Sequence, residues 1–338
     1  MADEVLIHHP KNMLALIKLR LELRYGLLKA GLGATHISFD FDDKIDTPFM
    51  ARINKQTRNR YRIAVSASQA SKTVKFTRRR LETVIFWLSK VDVPVSPFSL
   101  DLSDGDRCPE ADCAWSSASP DVMLVPDPYF FWTKGFAARR QTASDGTGNW
   151  DDRATRIRWR GGLNGAGKRQ WDTSGINDPA VSQRIRLAMI AGRIDGLDVK
   201  FTADHWRAAD DGETGKPYFG PMIREADWIH DKYALDIDGW TNSWSNFLVR
   251  MHLGCCVLKV GSQFGYRQWY YDRIRPWEHY VPVKTDMSDL AEKFEWVKAN
   301  DRQARDIAAN GREFARTMTF ESQTSWAAEA IRRRIGSK

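Results

Sequence analysis

The stretch that decides the fold reads YALDIDGWTNSWSNFLVRMHLGCCVLKV and occupies residues 233–260. It begins with a short apolar run, passes through a turn at Gly239, continues with helical spacing, and ends in a second apolar run. Short apolar runs that alternate with helical segments are typical of a parallel β-sheet covered by helices. The stretch therefore predicts one strand–helix–strand unit of an α/β fold.

The same alternation extends to both sides of this stretch. The sequence predicts further strands at RIRWRGG (156–162), LDVKFT (197–202) and HYVPV (279–283), and helices at AVSQRIRLAMIAGR (180–193), READWIHD (224–231), YRQWYYDRI (266–274) and DLAEKFEWVKAN (289–300). We therefore expect a doubly wound parallel sheet, whose ligands bind outside the carboxyl ends of its strands. The loops expected to matter are those after Trp159, Asp238, Val260 and Val283.

The first half of the chain has a less regular pattern. Strong helix formers dominate LIKLRLELRYGLLKAGL (16–32), which predicts a basic helix suited to an anionic surface. The sequence then predicts a strand at RYRIAVSAS (60–68), a helix at TRRRLETVIFWLSK (77–90), and strands at VPVSPFSLDLSDGD (93–106) and DVMLVPDPYFFW (121–132). Gly, Ser, Thr and Asp are frequent in residues 137–155, and we place the domain linker there.

Composition limits the class of protein. The length of 338 residues favours two domains, and the net charge of +8 favours polyanionic partners such as nucleic acid, anionic lipid or phosphorylated small molecules. A few exposed basic faces would explain the charge equally well. No secretory signal and no membrane-spanning apolar run is evident, so we expect a cytoplasmic protein, with peripheral membrane association through the basic helix as an option. Cys108 and Cys113 flank an acidic loop and are close enough in sequence to bridge, whereas the Cys255–Cys256 pair is typical of buried packing.

Two motifs point to chemistry that the sequence does not otherwise support. The segment GGLNGAGKR (161–169) nearly matches a phosphate-binding P-loop, but Arg169 replaces the required Ser or Thr and turn-forming residues follow. Asp-x-Asp pairs occur at Asp40/Asp42, Asp104/Asp106 and Asp236/Asp238, and such a pair binds a divalent ion in metal-dependent sugar transferases. With 43 acidic residues, chance explains each pair taken alone.

The turn in the deciding stretch is a candidate anion site. Asn242 and Ser243 are predicted to cap the following helix, whose free N–H groups would attract a phosphate. Trp240 and Trp244 lie beside it and are suited to stacking on a flat ring. The alternative is an ordinary capped core helix, and Arg184 is either a partner of the same anion or a solvated helical residue.

Three segments together resemble glycosyltransferase family 90. They read KYALDIDGWTNSW (232–244), CCVLKVGSQFGYRQWYY (255–271) and RPWEHYVPVKTDMSDLAEKFEWVKANDRQARDIAANGREF (275–314). The family includes protein O-glucosyltransferases, capsule-associated xylosyltransferases and lipopolysaccharide-modifying transferases. The resemblance implies a GT-B-like α/β architecture in which two Rossmann-like domains face each other across a cleft. It divides the chain into an acceptor-side domain (1–148), a nucleotide-sugar-binding domain (149–316) and a final helix (317–338) that returns to the first domain.

The resemblance also implies roles for individual residues. Asp104 falls at the position of the family's catalytic carboxylate, and no metal ligands are implied. The implied donor-binding residues are Arg160, Arg184, Asp238, Gly239, Trp240, Thr241, Asn242, Ser243, Trp244, Ser245 and Lys259. Ser245 stands where the protein O-glucosyltransferases have an Arg, so Arg250 or Lys259 is expected to supply that phosphate contact. His279 is expected to be structural, and Asp286 to cap the next helix.

The implied activity is inverting, metal-independent transfer of a sugar, most readily glucose or xylose, from a UDP-sugar. The acceptor would be a hydroxyl of a glycan or lipid-linked saccharide, because much of the aromatic segment that docks folded protein acceptors is missing between 136 and 155. No cofactor and no nucleic-acid partner is expected. The alternatives are a metal-dependent transferase that uses an Asp-x-Asp pair and a non-catalytic protein that binds nucleic acid or another anion.

Overall fold

The computed structural model describes residues 10–66, 70–146, 148–202 and 208–335. The helices are α1 (Pro10–Lys29), α2 (Ala70–Ser89), α3 (Pro128–Trp132), α4 (Ala137–Gly146), α5 (Gln183–Ala191), α6 (Ala208–Gly215), α7 (Asn246–His252), α8 (Leu290–Ala299), α9 (Asp301–Thr317) and α10 (Phe320–Ile335). The strands are β1 (His36–Phe41), β2 (Met50–Thr57), β3 (Arg60–Val65), β4 (Val95–Asp101), β5 (Cys113–Ala114), β6 (Met123–Leu124), β7 (Ala154–Gly161), β8 (Leu197–Thr202), β9 (Phe219–Gly220), β10 (Asp231–Asp236), β11 (Cys256–Val260) and β12 (Val281–Val283). None of these helices is both long and apolar enough to cross a membrane.

The chain divides into two compact units, each with its own sheet. The first unit is Met1–Trp132 together with Phe320–Lys338, and the second unit is Thr133–Thr319. The boundary predicted from the sequence lies after residue 148, within a polar segment. That segment instead contains helix α4, and the Arg312 guanidinium donates to the Ala143 carbonyl of α4 at 2.9 Å. Surface exposure of α4 therefore accounts for the polar composition that suggested a linker.

The sheet of the first unit is mixed. Its strand order is β1-β3-β2-β4-β5-β6, with β2 antiparallel to both β3 and β4 and the other pairs parallel. Strands β1 and β2 were not predicted from the sequence. Strand β1 is an edge strand, and Lys55 occupies a buried position of β2, where its ammonium donates to the Val91 carbonyl. Lys55 places a charged residue where an apolar one is expected, so the alternation of apolar and polar residues that predicts a strand is interrupted in β2.

Two helices complete the core of the first unit. The predicted basic helix is present as α1, and its Leu19 and Leu23 are fully buried in a face that packs on α2. The final helix α10 also belongs to this unit. Its Phe320 ring packs against Phe86 and Trp87, with centroid distances of 5.4 and 5.7 Å. The carboxyl-terminal part of the chain thus contributes to the core of the amino-terminal unit.

The sheet of the second unit is entirely parallel, as predicted. Its strand order is β12-β11-β10-β7-β8-β9, and helices α5 and α8 contribute to the core around it. In this order β7, β10, β11 and β12 are neighbours, so the loops at their carboxyl ends share one edge. The α/β class predicted from the sequence is confirmed. The predicted helix at 266–274 is instead a loop with one 3₁₀ turn at Tyr271–Arg273.

The stretch RPWEHYVPV (275–283) has a structural role. The Arg275 backbone N–H donates to Nδ1 of His279 at 3.0 Å, and the His279 ring lies edge-on to Phe314. Trp277 adopts a positive φ of 65° and packs on Trp296. These contacts connect the loop before β12 to helices α8 and α9, and they agree with the expectation that His279 is structural.

The expectation that Asp286 caps the next helix is wrong. Its carboxylate accepts from the Ser288 backbone N–H at 3.0 Å, which forms a tight turn before the helix. The residue that precedes α8 is Asp289, and its carboxylate accepts from the Lys284 backbone N–H at 2.9 Å. The Asp/Ser cluster is therefore a turn that leads into the helix.

All four cysteines are buried free thiols. Cys108 and Cys113 do not form a disulfide. Burial raises the pKa of Cys108 to about 12 and that of Cys255 to about 11. Thiols with such pKa values are poor nucleophiles near neutral pH, so these side chains act as packing groups.

Candidate active site

A glycine-rich loop covers the amino end of helix α5 at the carboxyl edge of the second sheet. The Lys168 N–H donates to the Ala180 carbonyl at 2.7 Å, and the Ser182 N–H donates to the Lys168 carbonyl at 3.0 Å. Gly167 has a φ of 104°, and a Cβ there would lie 2.7 Å from the Ser182 nitrogen. The segment that resembled a P-loop is therefore a tight loop over a helix start, and only glycine fits at position 167.

Arg184 on α5 connects the loops that follow β7 and β10. Its guanidinium donates to the carbonyls of Asp238 (2.7 Å), Gly162 (2.9 Å) and Ile237 (3.3 Å), and to the Asn164 side chain. It also lies over the Trp159 ring, 5.4 Å from the centroid. Burial lowers the pKa of Arg184 to about 10, against the opposing effects of Asp238 and Asp236. In this structure Arg184 thus acts mainly by holding two loops together.

Asp236 and Lys259 form a buried ion pair at the ends of β10 and β11. The Lys259 ammonium donates to Asp236 Oδ2 at 2.8 Å, and the Asn246 amide donates to Asp236 Oδ1 at 2.7 Å. Burial alone would raise the pKa of Asp236, but Lys259 and the hydrogen bonds hold it below its usual value. Burial opposes the charged form of Lys259, yet Asp236 and Asp238 raise its pKa above the usual value. Both groups are therefore charged at neutral pH.

Asp238 is a buried carboxylate that faces the pocket at this edge. Neither of its oxygens has a hydrogen-bond partner of standard geometry among the described residues. The Lys259 ammonium lies 3.9 Å from Asp238 Oδ1. Burial raises the pKa of Asp238 to about 6, although Lys259 and the nearby Ser262 hydroxyl lower it. Asp238 is thus available to accept a hydrogen bond from a ligand hydroxyl or N–H group.

The pocket contains residues from three loops and from the start of α5. Its lining residues are Gly165, Ala166, Ser182, Gln183, Arg184, Asp238, Gly239, Thr241, Gln263 and Phe264. Three of the four loops predicted from the strand ends contribute, those after β7, β10 and β11, whereas the loop after β12 supplies none of these lining residues. The structure therefore brings the predicted residues Arg184, Asp238, Gly239 and Thr241 together, and Lys259 lies directly behind Asp238.

The loop from Gly239 to Ser245 is tightly wound. The Asn242 side chain accepts from the Trp244 backbone N–H at 2.7 Å, and Trp244 adopts a left-handed φ of 54°. Trp240 is 45% exposed, whereas Thr241 and Asn242 are buried. Asn242 and Ser243 do not cap the helix, because α7 begins after Ser245 and spans only seven residues. Strained non-glycine residues of this kind are concentrated at functional sites.

Two other predicted donor residues lie elsewhere. The Arg160 guanidinium forms an ion pair with Asp198 at 2.7 Å and donates to the Pro221 carbonyl at 3.0 Å, on the side of β8. Arg250 stacks on Trp228, 3.8 Å from the ring centroid. Because Trp228 precedes β10, Arg250 lies toward the amino ends of the strands. It therefore cannot supply the missing phosphate contact, and Lys259 is the basic residue at the correct edge.

Asp104 lies in the first unit, in a rigid loop after β4. Its Oδ1 accepts from the Arg80 guanidinium at 2.6 Å, and its side chain is 32% exposed. The Ser103 hydroxyl accepts from the backbone N–H groups of Gly105, Asp106 and Arg107 at 3.0 to 3.2 Å. A Cβ on Gly105 would lie 2.1 Å from the Ser116 carbonyl oxygen. The loop thus holds the Asp104 carboxylate in one position with part of its surface accessible.

Two residues next to Asp104, Arg80 and Asp127, were not predicted from the sequence. Arg80 belongs to the RRR run of α2, which gave no indication that one arginine turns inward. Asp127 is fully buried, and its Oδ1 accepts from the Phe130 N–H at 2.9 Å. Burial raises the pKa of Asp127 to about 7, with Arg80 lowering it and Asp104 raising it. The two carboxylates and the guanidinium therefore form one electrostatic cluster.

Each Asp-x-Asp pair contacts a basic side chain. Asp40 and Asp42 pair with Arg62 and Arg52, and Asp106 pairs with Arg107 at 3.3 Å. Within residues 10–66, 70–146, 148–202 and 208–335, no cluster of three or more His, Cys, Asp or Glu side chains is arranged as a metal site.

The chain is similar to proteins of known family. The sequence profile of glycosyl transferase family 90 matches residues 146–324. Uncharacterized protein 035R of Invertebrate iridescent virus 3 is 30% identical over 181 residues, which are 50% of this chain and 15% of that protein. Protein O-glucosyltransferase 1 of Homo sapiens is 33% identical over 121 residues, 36% of this chain and 30% of that protein. Protein O-glucosyltransferase 2 of Danio rerio is 33% identical over 102 residues, 29% of this chain and 20% of that protein.

The aligned regions thus span less than a third of the length of these curated relatives. Among solved structures, sucrose-phosphate synthase from Thermosynechococcus elongatus aligns over 92% of this chain and 91% of its own, with a TM-score of 0.43 and 12% identity. TarM aligns over 53% of this chain and 35% of its own, with a TM-score of 0.34 and 12% identity. The profile match covers more than half of the chain and includes the three segments that carry the resemblance. The chain therefore belongs to glycosyl transferase family 90, a family of sugar-transferring enzymes.

Proposed function

We propose that the protein is an inverting, metal-independent glycosyltransferase that uses a UDP-sugar. The sugar would be glucose or xylose, and the acceptor a hydroxyl of a glycan or lipid-linked saccharide. The observation that carries this proposal is the pocket around Asp238, where a buried carboxylate whose oxygens lack a hydrogen bond of standard geometry lies 3.9 Å from the Lys259 ammonium at the carboxyl edge of a parallel sheet. Family membership and the glucosyltransferase names of the relatives support the choice of reaction.

The donor would bind with its diphosphate near the start of α5. Helix amino ends and glycine-rich backbone attract phosphate because their N–H groups point outward. Lys259 would add positive charge behind the pocket, and Asp238 would accept a hydrogen bond from a hydroxyl or N–H group of the nucleotide or sugar. The exposed Trp240 ring is suited to stacking on the sugar or base. The sequence pattern predicted the phosphate at the start of the helix after Ser243, which is α7. We propose the start of α5 as the phosphate site instead.

Asp104 would act as the general base. Its ionised carboxylate would take the proton from the acceptor hydroxyl while that oxygen attacks the anomeric carbon opposite the UDP leaving group. General-base assistance of this kind contributes about 10²–10⁴ in rate. Fixed positive charge would stabilise the departing diphosphate in place of a metal ion. Inversion of an α-linked donor would give a β-linked product.

The proposal is tested with the pair Asp104→Asn and Asp106→Asn, two changes in the same acidic loop. Thermal stabilisation by UDP and by a panel of UDP-sugars would be measured first, followed by sugar transfer and donor hydrolysis in excess chelator. We expect Asp104→Asn to lose turnover by about 100-fold or more with UDP stabilisation unchanged, and Asp106→Asn to stay near wild type. Near-normal turnover of Asp104→Asn would remove Asp104 from this role.

Two further outcomes distinguish the rival functions. Activity that disappears in chelator would favour a metal-dependent transferase built on an Asp-x-Asp pair. Salt-sensitive binding of oligonucleotides, together with no stabilisation by UDP, would favour a nucleic-acid-binding protein. The stereochemistry of the product, read by NMR of its anomeric proton, tests inversion directly.

A further inference from the structure

Helix α1 is apolar on two opposite faces. Its inner face contains Leu16, Leu19, Leu23 and Leu27, which are buried in the first unit. Its outer face contains Leu14, Ile17, Leu21 and Leu28, whose exposed fractions lie between 52% and 66%. Residues spaced by three, four and seven positions fall on one side of a helix, so these four side chains form a continuous outer stripe.

This stripe is unusual within the molecule. The described residues include eleven exposed large hydrophobic side chains, and six of them lie on α1: Met13, Leu14, Ile17, Leu21, Tyr25 and Leu28. Single exposed apolar residues are normal on a protein surface, whereas a contiguous patch marks an interaction site. The outer face of α1 is therefore a candidate interaction surface.

Basic residues border the stripe on both sides. Lys18 and Lys29 lie along one border, and Arg20 and Arg24 lie along the other, all of them exposed. The Lys29 ammonium is 4.5 Å from the Tyr25 ring centroid, which keeps its charge next to the stripe. Glu22 is the only acidic residue of the helix, and it lies 3.7 Å from Arg78 of α2.

We propose that the outer face of α1 binds an anionic lipid surface. The apolar stripe would enter the boundary between headgroups and acyl chains, and the flanking Lys and Arg side chains would contact lipid phosphates. Charge complementarity selects this partner. A second copy of the chain would bring the same basic borders together, and like charges at close range oppose that contact.

The proposal is independent of the donor site, because α1 belongs to the first unit and contains none of the residues assigned to UDP-sugar binding. It adds a location to the reaction: an enzyme held on a membrane surface meets lipid-linked acceptors there. The two proposals can therefore fail separately: a protein that UDP does not stabilise contradicts the donor site, and a protein that does not bind anionic vesicles contradicts the membrane surface.

Flotation of the full chain with vesicles tests the proposal. One vesicle preparation would contain phosphatidylcholine alone and the other would include phosphatidylglycerol. The apolar variant is Leu21→Gln with Leu28→Gln, and the charge variant is Lys18→Gln with Arg24→Gln. The matched control is Met222→Gln, because Met222 is equally exposed but lies in the second unit. Circular dichroism and thermal melting of each variant would verify that the chain is folded, whether or not it binds UDP.

We expect the wild type and Met222→Gln to float with the anionic vesicles and to dissociate as salt increases. Each double variant should bind about 30-fold more weakly, since two Lys or Arg side chains near the surface contribute that much and two partly inserted leucines a similar amount. Recovery of both variants at the wild-type level would overturn the proposal. So would a wild-type dimer that Leu21→Gln with Leu28→Gln converts to a monomer, because the face would then be a subunit interface.

Discussion

Replacing Lys259 by Met should destabilise the protein through the carboxylate that it leaves behind. The Lys259 ammonium is 2.8 Å from Asp236 Oδ2, and both side chains are almost completely buried. Met has a similar length and fills the space of the lysine stem, so packing changes little. The main effect is an uncompensated charge at Asp236.

The expected loss is about 3–5 kcal/mol in the free energy of unfolding, the usual cost of removing one partner of a buried ion pair. Adding Asp236→Asn should recover most of this loss, because the amide is neutral and can still bond to Asn246. The pH dependence follows from the pKa of Asp236. In the wild type this pKa is lowered, so the pair contributes its stability above pH 4 or so and loses it as the pH falls further. In Lys259→Met burial should raise it, so the destabilisation should be largest at neutral pH and should shrink in acid.

Urea denaturation followed by circular dichroism, at neutral and acidic pH, measures these values. Lys298→Met is the matched control, because Lys298 pairs with Glu295 at 2.6 Å on the surface. Its loss should stay below about 1 kcal/mol. The reasoning is refuted if Lys259→Met and Lys298→Met cost the same, or if Asp236→Asn does not restore stability to Lys259→Met.

Three further predictions follow from single features. Asp238→Asn should become more stable than the wild type by about 3 kcal/mol as the pH rises from about 4 to 8. The reason is that the pKa of Asp238 is raised from 3.8 to about 6, so ionising this carboxyl opposes folding of the wild type. Equal changes of melting temperature with pH in the two proteins would contradict this. Gly105→Ala should lower the free energy of unfolding by about 3 kcal/mol or more, because its Cβ would clash with the Ser116 carbonyl. Gly31 has a φ of 78° but open space around it, so Gly31→Ala should lower this free energy by only about 1 kcal/mol. Urea denaturation of both variants measures the difference. The thiols of the folded chain should react with Ellman's reagent only slowly at neutral pH and rapidly in guanidinium chloride, because all four are buried; fast reaction of the native protein would refute their burial.

The second unit could be predicted well from the sequence because its signals are local. Strands β10 and β11 are buried along almost their whole length, which is typical of parallel strands covered on both faces, whereas β7 and β8 alternate apolar with charged residues and are recognised by that period of two. The segment at 266–274 was wrongly predicted to be a helix, because its aromatic residues have helical spacing although they pack around a turn. The ring contacts of Tyr270 with both Trp269 and Tyr271 have centroid distances of 5.0 Å, so successive side chains pack against each other there.

The first unit was harder to predict because its order depends on distant contacts. The buried Lys55 ammonium donates to the Val91 carbonyl, which lies 36 residues further along the chain. Strand β1 is at the sheet edge, and its neighbour in the sheet is β3. No local pattern reports either contact.

The candidate site was predicted in part. Strand ends and family resemblance identified Arg184, Asp238 and Lys259, but sequence spacing could not show which way Arg160 and Arg250 point. Neither could it show that Arg80 and Asp127 surround Asp104. These arrangements depend on the direction of a side chain from its helix or strand, which tertiary packing decides.

The division of the chain has a consequence for synthesis. The second unit, Thr133–Thr319, is contiguous, so its core needs no segment from elsewhere in the chain. The first unit begins earlier but lacks α10, and therefore the Phe320 ring that covers Phe86 and Trp87, until translation passes residue 320. Until α10 docks, the aromatic surface at Phe86 and Trp87 thus lacks this cover, and a chaperone that binds nascent chains would find its target there.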